Sequence, residues 1–165
     1  MIVELTKEQV SGCRALATLR QNDNVKKGKK DADGFRGDPL RLHFIGLLGE
    51  CAAHTVLGGD WNDFTDSEIE RKKGDVGKYE VRTTEYSSGG LLIKPRDVDD
   101  RIYVCVRRVN KKEYKFEIAG WMKGKEAKQE RFWKAYVRKP CYIVPAYKLN
   151  DIELLKQKVK GQIND

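Results

Sequence analysis

An α/β fold of the α+β kind is predicted by three features of this chain. Apolar residues recur at helical spacing near both ends, and short β-branched or aromatic runs between Gly and Asp turns fill the middle. The length of 165 residues, with 39% hydrophobic and 35% charged side chains, suits a single domain over 1–165 with one core and a well-solvated exterior.

Thr6 can cap a first helix running to about Arg20, with Val10, Cys13, Leu16 and Ala17 on one side. The next segment, QNDNVKKGKKDADGFRGDP, clusters Lys26, Lys27, Lys29 and Lys30 among Gly and Asp and reads as a basic surface loop completing an N-terminal appendage over 1–39. A second helix is expected from Leu40 to Leu57, where Phe44, Leu47, Leu48, Cys51 and Ala52 form an apolar stripe ended by Gly58 and Gly59. Glu50 interrupts that stripe among Gly46, Gly49 and Ala53. A carboxylate on a close-packed flank needs a partner, for which His54 is the nearest candidate; otherwise Glu50 lies at the exposed helix edge.

Trp61 to Lys73 reads as a polar loop leading to the turn GDVG, from which the strand Tyr79 to Thr84 departs. Further strands are expected at Leu91–Ile93, Ile102–Val106 and Tyr114–Gly120, giving a meander of four short strands. A short helix over Lys125 to Tyr136, a strand over Tyr142 to Val144 and a last helix over 150–163, with an Asn150/Glu153 capping box, complete the chain. The core then spans about 40–145.

Strand alternation places Glu80 and Arg82 on one face and Tyr79, Val81 and Thr83 on the other, so that one face can be core and the other chemistry. The four cysteines, Cys13, Cys51, Cys105 and Cys141, stand singly in core-like segments with no C-x-x-C, and read as reduced, buried small hydrophobes. With only His43 and His54 besides, a zinc site is disfavoured, and any metal should be held by oxygen. The net charge of +8 favours a polyanionic partner, nucleic acid before acidic protein. No apolar run approaches membrane-spanning length and MIVELTKEQV lacks the layout of a secretory signal, so no membrane association and a cytoplasmic location are expected.

The order of elements, with Glu50 in G-L-L-G-E-C-A-A, Asp75 in G-D-V, and Glu80 and Arg82 in Y-E-V-R-T-T, resembles the core of the PD-(D/E)XK nuclease superfamily. E-V-R-T-T followed by G-G-L-L-I-K-P-R-D and I-A-G-W-M-K-G is also similar to small nuclease-like proteins of phages and marine viruses. The resemblance covers about residues 40 to 145. It implies a restriction-endonuclease-like core, with a central mixed sheet of four to five strands flanked by helices.

It further implies metal-dependent hydrolysis of DNA phosphodiester bonds, DNA being favoured over RNA. Glu50, Asp75 and Glu80 would hold Mg²⁺ or Mn²⁺ with the Val81 carbonyl, and Arg82 would be the fourth catalytic residue. Clustered carboxylates repel unless a cation neutralises them, which is the physical reason for such an ion. Lys26, Lys27, Lys29, Lys30, Lys72, Lys73 and Lys94 would contact the nucleic acid. A homodimer is compatible with this class, and a viral protein of this kind would act in the host cytoplasm.

Two departures matter. Arg82 stands where the family usually has Lys and, remaining protonated, can stabilise phosphate charge but cannot act as a base. Lys94, or less readily Lys78, could supply an amine instead. The gap from Asp75 to Glu80 also demands a tight turn. The alternative is therefore a catalytically inactive protein of the same fold that binds nucleic acid or a viral protein complex. A third reading makes Glu80 and Arg82 a structural ion-pair ladder. The acidic turn of Asp97, Asp99 and Asp100 reads as turn chemistry before a cation site, and Trp121 and Trp133 as core before base-stacking residues.

Overall fold

The computed structural model describes residues 1–28, 37–61, 64 and 79–163. It is a mixed α/β structure in which a helical layer, a four-stranded mixed sheet and a smaller three-stranded sheet lie on one another. The main sheet has the order β1 (Ile2–Glu4), β5 (Lys115–Lys123), β4 (Ile102–Arg108), β2 (Tyr79–Thr84). The β2 and β4 strands run parallel, whereas β4–β5 and β5–β1 are antiparallel. The second sheet is antiparallel, ordered β3 (Leu91–Ile93), β7 (Cys141–Val144), β6 (Trp133–Lys134).

The expected meander is thus corrected. The chain leaves the main sheet after β2, places β3 in the second sheet, and returns so that β4 lies parallel to β2. Alternation supplies the physical reason. Tyr79 and Val81 join Val104, Val106 and Ile118 in a core under the helices, while Tyr103, Cys105 and Met122 join Leu91, Ile93, Phe132 and Val144 in a second core. Both faces of β4 are apolar, so each needs a covering layer, and β3 and β7 cover one of them.

The helical layer is α1 (Lys7–Lys26) and α2 (Pro39–Val56). Thr6 caps α1 as expected, in a box with Gln9, but the helix runs on to Lys26, past the predicted end at Arg20. Asp38 caps α2 and Pro39 occupies its first turn, where a missing N–H costs nothing. Gly49 makes the close approach possible: a Cβ there would stand 1.9 Å from the Thr83 Oγ1, so α2 lies directly on β2.

Other elements depart from expectation near the end of the chain. Lys125 to Tyr136 is not one helix; it divides into α3 (Gly124–Ala127), a 3-10 turn at Glu130–Phe132 and the β6 strand, because Ala127 and Phe132 must both reach the second core. The last helix, α4 (Ile152–Ile163), is capped from Asp151, whose carboxylate accepts the Glu153 N–H. Asn150 instead pairs with Trp121 through both backbone groups, at the β5 irregularity where Gly120 takes φ 141°. Trp61 and Phe64 were read as loop residues; they stack, Phe64 is buried, and its N–H bonds to the Asp60 carbonyl. The cysteines are buried and free, as expected. Among the described residues no helix is long and apolar enough to cross a membrane.

Two outcomes follow from this packing. Gly49→Ala should lower unfolding free energy by about 2 kcal/mol, as overpacking against Thr83 does, and Thr83→Ala in the same chain should recover much of it in urea titrations. Burial pushes the Cys105 thiol up from 9.0 to about 12, and also raises the Tyr79 and Tyr103 hydroxyls. The unfolded chain therefore sheds these protons first. Stability should be level below about pH 9 and decline from there toward pH 12, as read from midpoints of denaturation at stepped pH.

Candidate functional site

Glu80 and Arg82 lie next to each other on the face of β2 turned away from α2, as strand alternation predicts. Tyr79, Val81 and Thr83 take the helical side. Arg82 sits over the Tyr103 ring at 5.3 Å, and its guanidinium donates to the Asp97 carboxylate at 3.1 Å. The other Asp97 oxygen accepts the Lys94 N–H at 2.8 Å. Asp97 thereby links the end of β3 to Arg82. Desolvation raises the pKa of the Tyr103 hydroxyl, the Asp97 charge adding to the shift, and that hydroxyl donates to the Val98 carbonyl.

Glu80 accepts a charge-assisted hydrogen bond from Arg101, just before β4. Both side chains are partly open to solvent, at 18% for Glu80 and 36% for Arg101. Arg101 is the more open partner, so the pair reaches solvent through its guanidinium. The Nε of Arg82 is buried and donates no hydrogen bond among the described residues, while the guanidinium end is held by Asp97. The carbonyl of Val81 lies in the strand between Glu80 and Arg82.

Glu50 is differently held. It is 7% exposed, on the flank of α2 toward α1, and accepts two bonds from Arg20 at 2.9 and 3.4 Å. Arg20 is the partner that the geometry shows, and the His54 ring packs against Phe64 and Gly59. A two-pronged guanidinium satisfies both carboxylate oxygens, as one imidazole could not. Because α2 covers the Val81 face of β2, Glu50 belongs to the helical layer and Glu80 to the opposite face. Among the described residues no group of three or more His, Cys, Asp or Glu side chains is gathered to hold a metal.

Asp75 lies outside the described residues, as do Lys29, Lys30, Lys72, Lys73 and the alternative amine Lys78. Lys26 is exposed in the last turn of α1, and Lys27 follows it, bonded to Asp23. Lys94 follows β3, close enough to Cys141 for its charge to oppose the burial that raises that thiol. The acidic turn is turn chemistry: Asp97 holds Arg82, Asp99 holds Lys128 at 2.6 Å, and Asp100 faces Lys125 at 3.7 Å. Trp121 is buried as expected, whereas Trp133 is partly exposed against Tyr142.

Arg20, Arg101 and Asp97 are the partners that sequence reading missed. Arg20 had a signal, since Cys13, Leu16 and Ala17 are buried and Arg20 continues their helical spacing. Arg101 and Asp97 lie in a connection whose path only the sheet pairing defines. In urea denaturation Glu50→Ala should cost about 3 kcal/mol, because it strands Arg20 in a mostly buried site. Glu80→Ala should cost under about 1 kcal/mol. Compared with known proteins, the chain matches no family model, no curated protein and no solved structure.

Proposed function

We propose that this chain is a divalent-metal-dependent nuclease acting on DNA, with its reacting centre on the outer face of β2. The observation that carries the reading is the side-by-side placement of Glu80 and Arg82 there, a partly buried carboxylate beside a guanidinium fixed by Asp97. The sequence motif joining Asp75 to this strand supports it. Glu80 suits a hard cation such as Mg²⁺ or Mn²⁺, since a carboxylate is the donor such ions prefer, and an ion there would replace Arg101 as its counter-charge. Asp75 and the Val81 carbonyl are the other proposed ligands.

A bound ion would supply Lewis-acid stabilisation of charge on the phosphoryl oxygens. Arg82 holds a non-bridging phosphate oxygen and stabilises the charge that develops there, with Asp97 fixing the guanidinium in place. It does not take a proton. Arg101, released from Glu80, is placed beside the same phosphate. Glu50 is left out of the ligand set, because it sits in the helical layer across the sheet from Glu80, and its pair with Arg20 joins α1 to α2.

A second reading, a protein of this kind that binds nucleic acid or a viral protein complex without cutting, is favoured by one observation. Glu50 and Glu80 both already have an arginine as counter-ion. The two readings separate in one assay, using labelled single-stranded and duplex DNA with Mg²⁺, Mn²⁺ or chelator. The expected outcome is metal-dependent cleavage that Glu80→Ala lowers by about 100-fold or more. Cleavage absent from the wild type but gained by Arg82→Lys would establish the second reading.

A further inference from the structure

On the helical side of the sheet, away from Glu80 and Arg82, a cleft of 640 Å³ opens between α1, the start of α2 and the β4–β5 turn. Its volume falls within the range of about 300–1,000 Å³ typical of built ligand sites. Among the described residues its charged lining is one-sided, with Arg14, Arg41, Arg108 and Lys111 against Asp38. The Asp38 carboxylate is committed to capping α2 through the Leu40 N–H. At the rim Glu85 accepts two bonds from Arg41, at 2.8 and 3.1 Å, and lies 3.5 Å from Arg108. The Arg41 side chain is 59% exposed, so that contact exchanges readily with another anion.

The aromatic lining is equally specific. Phe44 and Tyr114 meet edge to face at 6.4 Å, with the Arg14 guanidinium over Phe44 at 4.4 Å and that of Arg108 over Tyr114 at 5.3 Å. Arg108 is held by the Glu113 carbonyl and is 8% exposed, so its plane is fixed. Beyond the cleft, Lys111 lies over the ring of Tyr86, which is 68% exposed. Phe44 belongs to the apolar stripe of α2 yet is only half-buried, leaving part of its face for a ligand.

Fixed guanidinium and aromatic planes beside the exposed cations Arg14, Arg41 and Lys111 match a flat, stackable ring carrying a phosphate. We propose that this cleft binds single-stranded nucleic acid, taking one splayed base against the Phe44, Tyr114 and Arg108 planes and its flanking phosphates on Arg14, Arg41 and Lys111. A duplex keeps its base faces stacked and offers this cleft only phosphates. The inference shares the substrate class of the reading above but not its chemistry, and its test is run in chelator so that binding is read without cleavage.

The experiment is fluorescence anisotropy of labelled oligo(dT) and of a duplex of equal length, in chelator, across a salt series. It compares wild type, Arg14→Glu with Lys111→Glu, and a control carrying Lys134→Glu with Lys160→Glu, which changes net charge equally on exposed residues elsewhere. Thermal melts check that both variants fold. The proposal expects oligo(dT) to bind more tightly than duplex, the cleft variant to lose at least tenfold in affinity and the control to lose less than threefold. Equal losses in the two variants would reduce the effect to overall charge and overturn the cleft. Failure of the wild type to bind oligo(dT), or tighter binding of duplex, would overturn it as well. In a second measurement, cross-links from 5-iodouracil in the oligonucleotide should map to Phe44, Tyr114 or Tyr86. Cross-links confined to other segments would overturn the assignment even if every variant misfolded.

Discussion

The contact of α2 with β2 at Gly49 governs the arrangement of everything around it. With no side chain at that position the helix rests on Thr83, and the pleat of β2 then dictates which residues face the helices. Val81 goes to the core with Leu47, Leu48 and Ala52, and Glu80 and Arg82 go to the far side. One absent methyl group therefore lets the helix settle on a six-residue strand whose pleat divides core from charged side chains. The same contact brings Glu50 to the flank facing α1, where Arg20 receives it.

Charge in this molecule is organised by arginine. Arg20, Arg101, Arg41 and Arg107 each hold a glutamate, while Arg82 holds Asp97. Arginine suits such positions because its planar fork meets both oxygens of a carboxylate and keeps its charge when partly desolvated. The pairs differ in their reserve. Glu50 with Arg20 is shielded and serves the fold, whereas Glu80 with Arg101 is open enough to exchange one partner for another. Lysines such as Lys27 and Lys128 pair with aspartates at the surface, where their charge is more readily screened.

Local signals in the sequence were reliable wherever a residue's neighbours along the chain decide its state. The cap at Thr6, the stripe of α2, the alternation of β2 and the burial of the cysteines all belong to that class. Signals failed where distant chain decides. The parallel pairing of β2 with β4 depends on a crossover through β3, and Ala127 and Phe132 break an otherwise helical pattern because a second core draws them in. For the site, the pairing of Glu80 and Arg82 was legible from alternation alone. Their partners were not, since Arg101 and Asp97 come into reach only through the pairing of non-neighbouring strands. Phe44 was legible as apolar but not as half-open.

The place of β1 in the main sheet has a consequence for synthesis. Among the described residues Ile2 to Glu4 pair with β5, whose first residue is Lys115, so β1 waits for a strand made much later. At ribosomal rates of about 5–20 residues per second the delay is roughly 6 to 20 s. During that time α1 and α2 can pair with each other, but the apolar flank carrying Leu47, Leu48 and Ala52 has no sheet to cover it. An apolar flank left uncovered for that long is the kind of surface that favours association until β4 and β5 are made.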